Sequence, residues 1–256
     1  MQELPRRTGF SGPKLIRLLA RLTDADVPES RQSPSDRLSL WLGWTDAIAL
    51  STALNRPPAA GPAGARPDAG AGAQESARVR ASLEQAIAGP KPTTGSRQRG
   101  DLRAPPQDKS KAAEYAEWAT YRQRYMSLQQ TMEMSIGTLR IRLRAMLAAS
   151  TPEMTQLAVL DAVMEQGLSA RERSLLAGVP KLLEGHFTRL REAEQAALAA
   201  AAAAAAAEGD AAVRPLAVAP GTWLEVFRKD MQTILHAELD IRFQPIEGLL
   251  AALRDC

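Results

Sequence analysis

Residues 117–148 read EWATYRQRYMSLQQTMEMSIGTLRIRLRAMLA, and this stretch decides the fold class. Trp118, Tyr125, Met132, Leu139 and Met146 recur at every seventh position. A companion stripe shifts along the way: Tyr121 and Leu128 follow their partners by three residues, Ile136 and Leu143 by four. A straight helix drifts in this way against a seven-residue frame. Within it, Leu139-Arg140-Ile141-Arg142-Leu143-Arg144 alternates like a strand, but it also continues the helical seam, and length decides for helix. The spacing predicts one long helix over about 112–148 with a single buried seam, closed either within one bundle or across a dimer.

The flanks follow the same logic. Thr151-Pro152-Glu153 is a helix start, with a capping hydroxyl, a proline in the first turn and an early acid. Met154, Leu157, Leu160 and Met164 form its apolar stripe, and Gly167 is expected to end it. Ser169 with Glu172 reads as a capping box for a short helix, broken at Gly178-Val179-Pro180. The next helix carries Leu183, Phe187 and Leu190 and runs into nine alanines at 199–207. Poly-alanine is strongly helical but has little to pack with, so it reads as a spacer. Thr222 and Glu225 read as another capping box, opening a helix with Leu224, Phe227, Met231 and Ile234 inward and a break or kink at Pro245. Its last turns carry Ile246, Leu249, Leu250 and Leu253.

Toward the N-terminus, Ser11-Gly12-Pro13 opens a helix with Leu15, Leu18, Leu19 and Leu22 on one face. Ser33-Pro34-Ser35-Asp36 starts a second, running to about Leu54. Leu38, Leu40, Trp41, Leu42, Trp44, Ile48 and Leu50 give it apolar residues on more than one face, the pattern of a helix buried among others. Trp41 and Trp44 are therefore expected in a core, with docking as the other use of two aromatics in an aromatic-poor chain. Between Asn55 and Lys111 lie 7 Gly and 8 Pro, and Val79, Leu83, Ile87 and Leu102 are the only large aliphatics. So little apolar surface does not offset the entropy of ordering a chain. One short helix over about 74–88 is expected there, with the rest disordered.

The resulting fold class is all-α: a helical bundle with a long central helix, a disordered Pro/Gly/Ala-rich linker and a poly-alanine helical spacer. The expected divisions are 1–54, a helical pair docked on the bundle; 55–111, a disordered basic linker; and 112–207, the bundle with its spacer. Then come 208–221, a flexible link, and 222–256, C-terminal helices packed on the bundle. Apolar residues make up 45% of the 256 but aromatics only 4%, which suits helices better than sheets. Arg outnumbers Lys and Ala is abundant, the bias of a GC-rich bacterial coding sequence.

Charge is unevenly spread. Residues 1–111 carry 17 basic and 11 acidic side chains, whereas 208–256 carry 5 against 8. A lone cysteine, Cys256, forms no internal disulfide, which fits a reducing cytosolic setting. No signal peptide or membrane span is expected, because Arg17 and Arg21 break one apolar run and Asp46 another.

Candidate chemistry is sparse. His186 and His236 are the only histidines. Each has a carboxylate two residues away, a spacing that points side chains to different faces of a helix, so surface histidines are the expected outcome unless the two meet in space. Cys256 as a nucleophile fails on context, being terminal and next to Asp255. No nucleophile elbow, phosphate loop, dinucleotide fingerprint or zinc spacing occurs. Arg140 and Arg144 share a face while Arg142 points away, which reads as a solvated face with ion pairs. Lys91, Arg97, Arg99, Arg103, Lys109 and Lys111 could touch nucleic acid or anionic lipid, but no interleaved aromatics offer stacking.

The segment AELDIRFQPIEGLL at 237–250, the early LSLWL at 38–42 and the Pro- and Ala-rich middle resemble an uncharacterised betaproteobacterial family, a domain of unknown function. It has no assigned activity, so no functional residues carry over. The resemblance implies genes beside envelope proteins of the flagellar-motor and outer-membrane-anchor type, and hence a cytoplasmic accessory to an envelope complex. The expectation is thus a non-enzymatic cytoplasmic interaction or scaffold protein, without catalytic, cofactor or metal residues, binding a protein partner or a second copy of itself. A nucleic-acid-associated protein using the basic linker is the alternative, and an enzyme of unrecognised type the third.

Overall fold

The long helix predicted from the seam is the spine of the molecule. The computed structural model describes residues 13–23, 33–55, 69–89, 109–207 and 221–255. All its regular elements are helices: α1 (Lys14–Thr23), α2 (Pro34–Trp41), α3 (Trp44–Asn55), α4 (Ala69–Ala88), α5 (Lys109–Ala148), α6 (Pro152–Leu176), α7 (Val179–Ala207) and α8 (Thr222–Arg254). The seam of α5 is buried at Trp118, Tyr125, Leu128, Met132, Ile136, Leu139 and Leu143. At its end the inward position passes from Met146, half-buried, to Leu147, fully buried. The roughly 20° drift per seven residues accumulates over four repeats to most of one residue's rotation.

The seam closes within the chain. α6 and α7 run end to end along α5 in the opposite direction, since Arg140 meets Asp161, Glu133 meets Arg173 and Trp118 meets Phe187. α8 runs alongside α5 in the same direction: Phe227 lies by Trp118 and Glu238 by Tyr125. α4 packs on α5 and α8, α1 on α7 and α8, and α2 and α3 on α6. The N-terminal pair therefore docks in two separate places.

Several expectations need correction. The short helix expected over about 74–88 forms, but it starts at 69 and, within the stretch expected to be linker, is a core helix with Leu83 and Ile87 3% and 1% exposed. Small side chains explain how so poor a composition packs. A Cβ on Gly72 would stand 3.2 Å from Leu143 and 3.5 Å from Leu250 and Leu253, so the missing side chain is what brings three helices together. The remainder of 55–111 that precedes α5 and follows Gly89 lies outside the described residues, as does most of 208–221.

Gly167 does not end a helix. α6 runs through it to Leu176, and a Cβ there would lie 3.0 Å from Leu42 and 3.3 Å from Asp46. The glycine is the seat of α2 and α3, not a terminator. Ser169 and Glu172 consequently form no capping box: Ser169 offers its carbonyl to Arg173, and Glu172 pairs with Arg242. Nor does Pro245 break α8. Phe243 before it and Ile246, Leu249 and Leu253 after it are buried in one core, and that burial outweighs the roughly 3 kcal/mol cost of an internal proline.

The expected box at Thr222 and Glu225 is also replaced. The cap of α8 is Gly221, at φ 93°, with no side chain of its own. Glu194 of α7 reaches over instead, accepting from the Gly221 and Trp223 amides at 3.0 and 3.3 Å and from the Thr222 hydroxyl at 3.1 Å. By contrast, the starts at Ser33 and Thr151 are capped as expected. In α7 the alanines at 199, 200 and 202–204 are exposed, as a spacer requires.

The second predicted helix is the largest departure. It breaks at Leu42 and Gly43 into α2 and α3, and its tryptophans face solvent.

Candidate functional site

The residues singled out from sequence fall into ordinary roles. His186 Nε2 lies 2.8 Å from Asp230 Oδ2, joining α7 to α8 beside the Phe227 ring. His236 is half-buried on α8. Among the described residues no three His, Cys, Asp or Glu side chains gather to hold a metal ion, and Cys256 lies outside those residues. Arg140 and Arg144 share a face as expected, but that face is not solvated: both are 14% exposed and grip Asp161 and Glu165 of α6 at 2.5–3.8 Å. These bonds hold the Arg140 guanidinium above its ordinary pKa against the opposing effect of burial, the largest single influence. Arg142 points the other way and pairs with Glu75 of α4. Lys91, Arg97, Arg99 and Arg103 lie outside the described residues.

A buried carboxylate that sequence reading missed sits where α6 gives way to α7. Glu238 is 0% exposed. It accepts from the Tyr125 hydroxyl at 2.7 Å, from Gln129 Nε2 at 3.0 Å and from Arg242 at 3.0 Å. Arg242 also holds Glu172 at 3.1 Å, and Gln129 donates to the Leu176 carbonyl at 3.2 Å. Burial, then the Glu238 charge, drives the Tyr125 phenol far above its usual pKa, so it stays a donor. This carboxylate is out of contact with solvent and surrounded by donors. It pins α5, α6 and α8 in register, a role buried polar networks fill when fully satisfied. The only hint in the sequence is the four-residue spacing of Glu238 and Arg242.

The other unexpected feature is the outer face of α2 and α3. Asp46 accepts from the Gly43 amide at 3.0 Å and so starts α3. One side of the pair is fixed on α6 through Leu42, Asp46 and the 5% exposed Ala53, and Gln156 donates to the Leu54 carbonyl at 3.1 Å. The side away from α6 leaves Leu40 72%, Trp44 82% and Ile48 51% exposed, with Trp41 at 41%. Trp44 and Ile48 stand four residues apart, on one stripe of α3. Asp46 is the sole charged residue from Leu38 to Asn55, so the face carries no charge of its own.

A family model for a protein of unknown function, DUF3348, matches residues 1–255. The chain belongs to that family. This agrees with the likeness read from the 237–250 tail and the early LSLWL. No curated protein and no solved structure matches the chain. Among the described residues no helix is long and apolar enough to cross a membrane.

Proposed function

We propose that this DUF3348 chain is a non-enzymatic, cytoplasmic interaction protein, a helical scaffold that presents the outer face of α2 and α3 to a protein partner. The observation that carries the reading is Trp44 at 82% exposure one turn from the exposed Ile48, with Leu40 and Trp41 also exposed on α2, on helices already anchored from behind. Contiguous exposed apolar surface is costly to keep in a soluble monomer and marks contact sites. Tryptophan is also among the residues that dominate binding energy when an interface closes over it. Among the described residues the deeply buried ionisable groups Tyr125, Glu238 and Arg242 are bonded to one another and support the bundle, which favours a scaffold over an enzyme.

The test is affinity capture from the native host with the wild-type chain and with Trp44→Ser. A partner retained by the wild type and lost by the variant, at equal thermal stability, is the expected result. Equal capture by both, or no partner for either, contradicts the proposal.

A further inference from the structure

Where α4 ends, a groove of about 570 Å³ opens between α5 and α8, a size in the range of small-molecule clefts. Two guanidiniums from different helices line it, Arg124 of α5 and Arg228 of α8, together with Tyr121, Met231 and, as a carboxylate, Glu117. Each guanidinium is held at one nitrogen. Arg228 Nε donates to the Tyr121 hydroxyl at 2.7 Å, with its Cζ 5.8 Å from the centre of that ring. Arg124 Nη2 donates to the Ile87 carbonyl at 3.3 Å, and Gly89, at φ 72°, leaves room for it where a Cβ would overlap the guanidinium.

An arginine carries five N–H donors, so these anchors orient both side chains and leave most of their donors unused. Among the described residues neither arginine pairs with a carboxylate, whereas Arg140, Arg144 and Arg242 all do. Oriented guanidiniums that pair with no carboxylate among the described residues, beside a half-buried aromatic ring, match a ligand with an oxyanion at one end and an apolar group at the other. Arg228 would meet the anion with its two free Nη groups. Tyr121, half-buried, would meet the apolar part, with Met231 packed behind it in the core.

We propose that this groove binds a small organic anion, a phosphate or carboxylate joined to an apolar group, through Arg124 and Arg228. Glu117 on the groove wall opposes the charge of such a ligand and limits its affinity. The proposal is independent of the α2–α3 face.

Calorimetric titration of the full chain with phenyl phosphate, benzoate and inorganic phosphate tests it. Saturable binding of phenyl phosphate or benzoate is expected, and whichever binds tighter identifies the oxyanion. Inorganic phosphate should bind about tenfold more weakly than phenyl phosphate, the equivalent of one or two buried apolar groups. Arg228→Gln should weaken binding about tenfold. Glu117→Gln should tighten it several-fold, a gain that a damaged fold does not mimic. Absence of binding by both organic anions overturns the proposal, as does affinity unchanged in both variants. Inorganic phosphate binding as tightly as phenyl phosphate contradicts the role of the apolar wall.

Discussion

Tryptophan is used in two opposite ways in this molecule. At one end of the bundle Trp118 and Trp223 pack with Tyr121, Phe187 and Phe227, ring centres 4.9–6.2 Å apart. On α2 and α3, Trp41 and Trp44 face outward. The difference lies in what surrounds each helix. α7 and α8 meet α5 and each other, so a ring on their inner faces touches two other helices. α2 and α3 are seated on α6, and one supporting helix covers only one side of an all-round apolar helix. The first group stabilises the fold, and the second is available for contact.

Breaking the buried side of this contrast should produce the largest effect. Glu238→Ala leaves the Arg242 guanidinium, itself 8% exposed, with only the more exposed Glu172, and takes the buried acceptor away from Tyr125 and Gln129. A loss of about 3–5 kcal/mol is expected in chemical denaturation. A loss below about 1 kcal/mol would mean water reaches this cluster and the register argument fails. Phe227→Ala, at 0% exposure in the aromatic group, should cost about 3–4 kcal/mol by the same measurement. A cost no larger than that of a surface change would show that the aromatic end is loosely packed.

The bundle's legibility was uneven, and its causes are physical. The α5 seam was readable because every inward residue is large and the period is short-range. α4 was readable as a short helix over about 74–88, but its first turn and its place in the core were not, because Gly72 and Ser76 are core residues by virtue of being small, and their value depends on Leu143, Leu250 and Leu253 far along the chain. Gly167 misled for the same reason, since a glycine that lets another helix approach looks like one that ends its own. The exposure of Trp41 and Trp44 was hidden too: an all-round apolar helix reads as buried, and only the number of neighbouring helices says otherwise. Glu238 and Tyr125 lie 113 positions apart, so no local pattern announces their bond.

A smaller effect sharpens the comparison at the α7–α8 junction. Partial desolvation raises the Glu194 carboxyl, but the donors of Gly221, Trp223 and Thr222 together outweigh it and hold it below its ordinary pKa. A depressed carboxylate stabilises the fold above its unfolded pKa, and that contribution is lost as pH falls through the folded value. Melting temperatures of wild type and Glu194→Gln should therefore differ near neutral pH and converge between about pH 5 and pH 3. A constant difference across that range would mean Glu194 acts by packing alone.

The smallest stability effect is expected on the exposed face. Trp44→Ser should change unfolding by no more than about 0.5 kcal/mol, in keeping with surface positions. A larger loss would place the ring against the fold and remove the contrast.

The most direct measurement places a photo-crosslinking residue at position 44 and, separately, at position 223 in the full chain expressed in its native host. The account predicts crosslinks to a second protein from position 44 and none from position 223, whose ring packs against Phe187. No crosslink from position 44, or the same products from both positions, would contradict the claim that α2 and α3 form the docking face.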